Sequence, residues 1–496
     1  MYVQMRTRIH RCLLFSPPAF SSRKQLDINP APPLGLGYIA AVLEGMGKEV
    51  RIVDCLLEGW HDRVAVDGDR IRIGLSREAI EKIIREFRPD LVGVNSQFTR
   101  QYRNAHEIYA VAKSVDPTII TVAGGAHPSV LPAFAMEDPS LDFAVMGEGE
   151  NTVRELVQCL EHDPAGIASI DGIALRGEGG VRINPKTRFI EDLDTLPFPA
   201  WHLMHVEGYF GLPLSHGKRR HVRFFSIMTS RGCPARCVFC TAHNVWGRKF
   251  RKRSPENVVR EIEALKKNYG VEELLIEDDN FTFDIGRAEE ICDRILREGL
   301  PMAFDTPNGV AAFRLTPELI TKMQRAGFFK INLAVESGNQ QALLKVIKKP
   351  LRLDHVARLI AHCHSIGMEC GLFFIIGIPG TTLREMWDNY RFARRMKVFD
   401  PFISIATPYP GSELYDICRE NAYLDAGFSL ENLHIRTYSI HTPAWGAWRL
   451  RLLMEAGYLY LKFFQALDDP VTFMRLFRAH VSEKIRGPEI SGVTGK

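Results

Sequence analysis

Thr229-Ser230-Arg231-Gly232-Cys233-Pro234-Ala235-Arg236-Cys237-Val238-Phe239-Cys240-Thr241 decides how the rest of the chain is read. Three cysteines stand at C-x3-C-x2-C spacing. A loop of this length can turn three thiolates toward one centre, and thiolates are soft ligands that select iron–sulfur clusters, zinc or copper(I). A four-iron cluster ordinarily takes four cysteines. Three leave one iron free for a substrate or cofactor, as catalytic zinc sites keep one open position. The competing reading is a structural zinc site with His243 as a distant fourth ligand. Zinc signatures bring a second Cys/His pair at a regular offset; here the next cysteine is Cys292, inside a helix-like stretch.

Outward from that loop, residues 223–425 repeat strand then helix. Apolar runs mark strands at 224–229, 273–277, 302–305, 330–335, 371–376 and 402–406, with helices at 255–269, 285–298, 317–326, 353–366 and 383–396. Pro255 and Pro317 sit where a first helical turn tolerates proline. Six units make a partial β/α barrel, open on one side, and chemistry in such barrels gathers at the carboxyl ends of the strands. The cysteine loop follows the first strand. Glu277-Asp278-Asp279-Asn280 follows the second, Glu336-Ser337-Gly338 the fourth, Gly377-Ile378-Pro379-Gly380 the fifth and Thr407-Pro408-Tyr409-Pro410-Gly411 the sixth. Gly and Pro end strands everywhere, so each alone is turn chemistry; their joint occurrence at successive strand ends marks a site.

Residues 10–150 also alternate, with strands at 11–16, 49–54, 90–95, 118–123 and 143–146 and helices at 36–46, 79–87 and 105–115. This pattern predicts a doubly wound parallel sheet, whose ligands bind outside the carboxyl ends of its strands. No G-x-G-x-x-G follows the first strand, so a dinucleotide is not favoured. Gly124-Gly125-Ala126-His127-Pro128 is backbone that can approach a flat ligand closely. Residues 151–222 read as a connector, with a helix at 151–160, a small hairpin around 177–180 and a proline-bearing linker at 192–201. Residues 426–496 carry Trp445, Trp448, Tyr458, Tyr460, Phe463, Phe464, Phe473 and Phe477 among Arg and Lys. They predict helices packed on the barrel's open side, or a membrane-surface face.

The chain has 496 residues, 46% apolar and 25% charged, with a net charge of +4. That is an ordinary globular composition of two to four domains, too weakly charged to make nucleic acid the main partner. The basic run Arg248-Lys249-Phe250-Arg251-Lys252-Arg253 reads as a solvated loop. The other seven cysteines are scattered singly, which is no disulfide framework and fits a reducing cytoplasm. No signal peptide is read, and the longest apolar stretch, 371–378, is far too short to span a bilayer.

At the cysteine loop the sequence resembles the radical S-adenosylmethionine (SAM) superfamily, whose cluster motif is C-x3-C-x-aromatic-C, with Phe239 as the aromatic. The resemblance implies a [4Fe-4S] cluster on Cys233, Cys237 and Cys240, with SAM chelated at the open iron and cleaved by one electron to methionine and a 5′-deoxyadenosyl radical. It implies a SAM site drawn from Phe239, Asp278, Glu336, Ser337, Gly377, Ile378 and Thr407, and an electron donor such as flavodoxin or ferredoxin. Asp278 lies where the superfamily often has Gly-Gly-Glu, a departure.

With a doubly wound domain in front, the chain resembles the cobalamin-binding radical SAM enzymes. The corrinoid signature is D-x-H-x-x-G, then S-x-L, then G-G. Here it reads Asp54-Cys55-Leu56-Leu57-Glu58-Gly59, Ser96-Gln97-Phe98 and Gly124-Gly125. Leu56 stands at the histidine position and cannot coordinate cobalt, so the resemblance implies a lower face left unligated by the protein, or capped by water or a loop residue. The implied cobalamin site comprises Asp54, Leu56, Gly59, Ser96, Gly124, Gly125, His127, Gly147 and Glu148. The implied architecture is α/β: a Rossmann-like cobalamin-binding domain at 10–150, a connector at 151–222, a (β/α)6 radical SAM barrel at 223–425 and a helical region at 426–496. The implied reaction is methyl transfer from SAM, through methylcobalamin, to an unactivated carbon of a small molecule. An anaerobic oxidative cyclase or a rearrangement enzyme shares the architecture. A non-catalytic corrinoid sensor with a structural metal module is the remaining class, and no output domain is read for it. No catalytic acid or base is singled out.

Overall fold

The computed structural model describes residues 8–474, apart from 23–27, 29, 178, 214–218 and 472. Phe477 and the rest of 475–496 lie outside the described residues.

The N-terminal strands are β1 (Arg11–Ser16), β2 (Glu49–Asp54), β3 (Leu91–Asn95), β4 (Ile120–Gly124) and β5 (Phe143–Val145). β1 reads Cys12-Leu13-Leu14-Phe15 at its centre and all four are buried, as expected of a strand covered on both faces. The sheet continues into a hairpin, β6 (Ile173–Gly177) and β7 (Gly180–Asn184), giving the order β7-β6-β5-β4-β3-β1-β2. The first five strands are parallel and the hairpin is antiparallel. The hairpin read as part of a connector thus belongs to this sheet, where it covers the edge of β5. Strand order reverses between β1 and β3, and the carboxyl ends on either side of such a reversal leave a crevice.

A second, antiparallel sheet was not legible in the sequence. Ala19–Ser22, Arg70–Ile73 and Arg63–Asp67 pair side by side. Its segments are short and half-charged, so no apolar run announces them. Ala19, Ile71 and Ile73 bury Leu56 and Trp60 in a small separate core.

The barrel strands are β8 (Phe224–Ile227), β9 (Glu273–Ile276), β10 (Ala303–Asp305), β11 (Lys330–Glu336), β12 (Glu369–Ile376) and β13 (Phe402–Ile405). They pair in parallel as β8-β9-β10 and β11-β12-β13. The two halves meet at the bridges Phe304–Phe328 and Val310–Leu333, and β10 is just three residues long. Helix starts follow local chemistry. Ser254 caps Pro255–Tyr269 with its side chain on the Asn257 N–H, and Thr382 and Glu385 form a reciprocal capping box at Leu383–Arg395.

Among the described residues of the tail the long helix is Ala447–Asp468, and a further helical segment begins at Pro470. The long helix packs on Leu383–Arg395, where Gly457 lies so close to Tyr390 that a Cβ would meet the ring at 2.1 Å. Trp445 anchors its start by donating to the Thr381 carbonyl at 2.8 Å.

The basic run is not a solvated loop. Arg251 and Arg253 are buried, while Arg248, Lys249 and Lys252 are exposed. Arg251-Lys252 is a short strand paired with Ser230-Arg231, and the two-residue period of a strand sends alternate side chains inward.

Candidate active site

The cysteine loop leaves β8 and is fixed from beneath by charge. Asp278, at the end of β9, accepts from the Thr229 N–H at 2.6 Å and from the Thr229 and Ser230 hydroxyls at 2.5 Å each. Arg287 donates to the Thr229 carbonyl at 2.6 Å, and Arg253 donates to the Met228 carbonyl at 2.9 Å and pairs with buried Glu261. Gly232 then turns at φ +84°, where a Cβ would lie 2.4 Å from the Lys249 carbonyl. Val238 ties the far side of the loop to Ile347 and Leu414 through its backbone.

Cys233, Cys237 and Cys240 come together, each within electrostatic reach of another. Burial holds all three thiols above their ordinary range, Cys237 to about 12 and Cys240 to about 11. They are therefore protonated until a metal displaces the protons. Lys349 offsets this with its cation beside Cys237 and Cys233. Among the described residues no three Cys, His, Asp or Glu side chains converge closely enough to hold a single metal ion. A tetrahedral zinc site with His243 is thus not formed, whereas a cluster, whose thiolates ligate different irons, suits three half-buried thiols spread along one loop.

The carboxylate left open toward these thiols is Asp279, not Asp278. It lies near Cys233 and Cys240, its Oδ2 is buried without a hydrogen-bond partner, and burial with Asp278 alongside pushes its pKa up to about 6. Such an orphaned oxygen fits the ammonium of an amino acid. Glu336 adopts φ +71° at the end of β11, a conformation a non-glycine residue keeps only where its surroundings impose it. It forms a buried ion pair with Lys349 at 2.9 Å. Lys349 was missed in the sequence, hidden in a Lys-Lys-Pro run that reads as a surface turn. Ser337 caps its own loop at the Asn339 N–H. Gly377 adopts φ +82°, a Cβ there would also meet Leu450 at 3.0 Å, and the Ile378 carbonyl is held by Thr381. The Thr407 hydroxyl bonds the Ile405 and His434 carbonyls, and Phe239 packs partly buried against the core.

At the β1/β3 crevice of the first sheet, Gly124 has nothing within 4 Å of a Cβ position. Gly125 adopts φ +104° and ψ −170°, and a Cβ there would strike Asn95 Oδ1 at 2.8 Å and the Ser96 carbonyl at 2.9 Å. Ser96 Oγ and His127 Nε2 are buried without hydrogen-bond partners. Burial and nearby His106 push the His127 pKa down to about 4, so the ring is neutral at pH 7. Phe98, 65% exposed, stands at the rim. An open glycine floor, orphaned polar atoms and an exposed aromatic fit a large flat ligand with polar edges.

Three residues expected in that site have close protein neighbours. Asp54 accepts from the Leu56 and Leu57 N–H groups and from the Tyr209 hydroxyl at 2.6 Å. Leu56 is buried beneath the small antiparallel sheet, and a Cβ on Gly59 would strike Leu75 N at 2.3 Å. Glu148 is committed as well. Its Oε1 accepts from Arg231 at 3.0 Å and from Arg251 at 2.6 Å, and its Oε2 accepts from the Ile190 N–H at 2.8 Å. Glu150 takes the other arm of Arg231 at 2.6 Å. The guanidinium of Arg231 also lies over Tyr38 and Trp246. Gly147, with φ +67°, passes close to Lys186 and to the Val245 carbonyl. This network joins the loop after β5 to the cysteine loop. Nearby, helix Ala126–Val130 packs on helix Ala242–Trp246, and Asn244 donates to the Gly411 carbonyl at 2.9 Å. The carboxyl ends of both strand systems therefore face one junction.

A radical SAM superfamily model matches residues 227–393 and a B12 binding domain model matches residues 29–157. The chain is 36% identical over 498 residues to cytidylyl-2-hydroxyethylphosphonate methyltransferase of Streptomyces wedmorensis, spanning 93% of this chain and 91% of that one. It is 27% identical over 435 residues to the anaerobic magnesium-protoporphyrin IX monomethyl ester cyclase of Rubrivivax gelatinosus, spanning 87% and 73%. Its fold matches the radical SAM methyltransferase TsrM of Kitasatospora setae, solved with cobalamin and a [4Fe-4S] cluster, at a TM-score of 0.66 and 19% identity, covering 85% and 76%. It also matches the cobalamin-dependent radical SAM enzyme OxsB at 0.62 and 20% identity, covering 84% and 56%. Both halves of the chain are thus accounted for together, and the chain belongs to the cobalamin-binding radical SAM enzymes, which work with a [4Fe-4S] cluster, SAM and cobalamin.

Proposed function

We propose that the enzyme transfers a SAM-derived methyl group to an unactivated carbon of a small-molecule substrate. The observation that carries this reading is the contact between helix Ala126–Val130, which follows the glycine pair of the first sheet, and helix Ala242–Trp246, which follows the cysteine loop. When bound, the cluster with SAM supplies hydrogen abstraction from carbon and cobalamin supplies a transferable methyl group. In this reading Cys233, Cys237 and Cys240 hold the cluster. Asp279 receives the SAM ammonium, and the Glu336–Ser337, Gly377–Ile378 and Thr407 segments shape the remainder of that pocket. Gly124, Gly125, Ser96 and Phe98 receive the corrin, while Glu148 and Glu150, through Arg231, fix the spacing between the two halves. Asp54, Leu56 and Gly59 support the crevice from behind, and the buried Leu56 side chain would offer no donor atom to a bound cobalamin.

The relative at 36% identity acts, by its name, on a cytidylylated hydroxyethylphosphonate, and that compound is the first substrate to assay. The test is anaerobic turnover of the reconstituted protein with methyl-deuterated SAM, a low-potential reductant and cytidylyl-2-hydroxyethylphosphonate, followed by mass spectrometry. A product heavier by one labelled methyl group supports the reading in full. 5′-Deoxyadenosine formed together with an unmethylated, ring-closed product from a porphyrin ester would instead favour the cyclase reading, which the 27% relatives support.

A further inference from the structure

The tail helix is apolar on two opposite faces. Leu450, Gly457 and Leu461 point at the barrel and are buried. Trp448, Leu452, Leu459, Phe463 and Leu467 lie on the other side, between 54% and 68% exposed. At 100° per residue these outer side chains fall within one stripe of the helix. An uninterrupted exposed apolar stripe of this length marks an interaction surface. No helix among the described residues is long and apolar enough to cross a membrane, so the helix can lie along an apolar boundary but not pass through it.

The charges beside the stripe indicate what covers it. Arg449, Arg451 and Lys462 are exposed along its edges, with Glu455 as the acid among them. Beside Tyr460 and Asp468 the tail helix borders a cleft of about 780 Å³ against Leu383–Arg395, where Arg391, Arg394, Arg395 and Lys397 outnumber Asp388 and Asp468. Residues 475–496, which follow in sequence, carry five Lys or Arg against two Glu. A second copy meeting this face about a two-fold axis would bring the same basic edges together. An anionic surface would neutralise them while the apolar stripe sinks below the headgroups, the arrangement of an in-plane amphipathic helix. We propose that the outer face of Ala447–Asp468 docks this enzyme onto an anionic lipid bilayer.

The test uses the full-length reconstituted protein, kept anaerobic, with vesicles of phosphatidylglycerol and phosphatidylcholine or of phosphatidylcholine alone. The protein is expected to float with the anionic vesicles, to bind neutral ones at least tenfold more weakly, and to be released by salt. Tryptophan emission should shift to the blue on binding, and Trp448→Phe should remove that shift. The Leu459→Glu/Phe463→Glu variant alters only exposed positions, so it should retain its iron and lose flotation at least tenfold. Absence of flotation, or equal flotation of wild type and variant, overturns the proposal. So does a wild-type dimer that this variant renders monomeric and that never binds vesicles, which would make the stripe a subunit interface.

Discussion

Replacing Glu148 by Ala tests whether the two halves are held together by buried charge. The side chain of Glu148 has no exposed surface, and those of Arg231 and Arg251 are 3% and 1% exposed. Its removal leaves Arg251 without its carboxylate, leaves Arg231 with Glu150 alone, and strips the Ile190 N–H of its acceptor. Breaking a buried pair by deleting one partner costs about 3–5 kcal/mol, because the remaining charge cannot regain its water. In a cooperative unit of 150–250 residues each kcal/mol moves the midpoint by roughly 2–4 °C, so the first thermal transition should fall by about 6–20 °C. The assay is calorimetry or intrinsic fluorescence of the reconstituted protein, reading the first transition alone because a multidomain chain is not two-state. Glu148→Gln, which keeps the shape and an acceptor, should fall between. Glu191→Ala, which breaks an exposed pair with Lys249, should leave the midpoint in place. A Glu148→Ala midpoint within about 2 °C of wild type would refute the claim that this network carries the junction.

Other outcomes follow from the same geometry. Cys237→Ala should reduce iron after reconstitution from about four per chain to near none and abolish the visible charge-transfer absorbance; iron retained at the wild-type level would contradict a cluster on this loop. Gly125→Ala forces a side chain into φ +104°, ψ −170° and onto Asn95 and Ser96, a conformation costing about 1–3 kcal/mol outside glycine. Cobalt bound after desalting should drop at least tenfold while iron is unchanged, as an altered crevice beside an intact loop requires; unchanged cobalt would count against the crevice. Burial pushes the Asp54 pKa from 3.8 up to about 6. The folded state therefore holds that proton more tightly than the unfolded chain, and its contribution to stability declines as pH rises from about 4 to about 6. Asp54→Asn should remove that part of the slope in a plot of melting midpoint against pH, and an undiminished slope would place its origin elsewhere.

The sequence by itself determined the elements and the order of the chemistry. C-x3-C-x2-C after an apolar run, and polar turns after successive later runs, are local signals that need no tertiary contact to be read. The parallel strands of the first sheet and of the barrel were legible for the same reason, since buried parallel strands are continuous apolar runs. Only the tertiary structure decided the roles of individual charges. Asp278 and Asp279 are adjacent and chemically identical, yet one is spent beneath the loop and the other is left facing the thiols. Glu148 reads as part of a ligand-binding turn, but its partners lie 83 and 103 residues away. Arg251 reads as solvent-facing until a two-residue ladder with Ser230-Arg231 turns it inward, and Arg253 until it reaches buried Glu261. Lys349 reveals itself only through Glu336, to which it is paired across a buried gap. A charge's role depends on which distant partner compensates its loss of water, and that pairing is set by how the chain packs, not by the residues beside it.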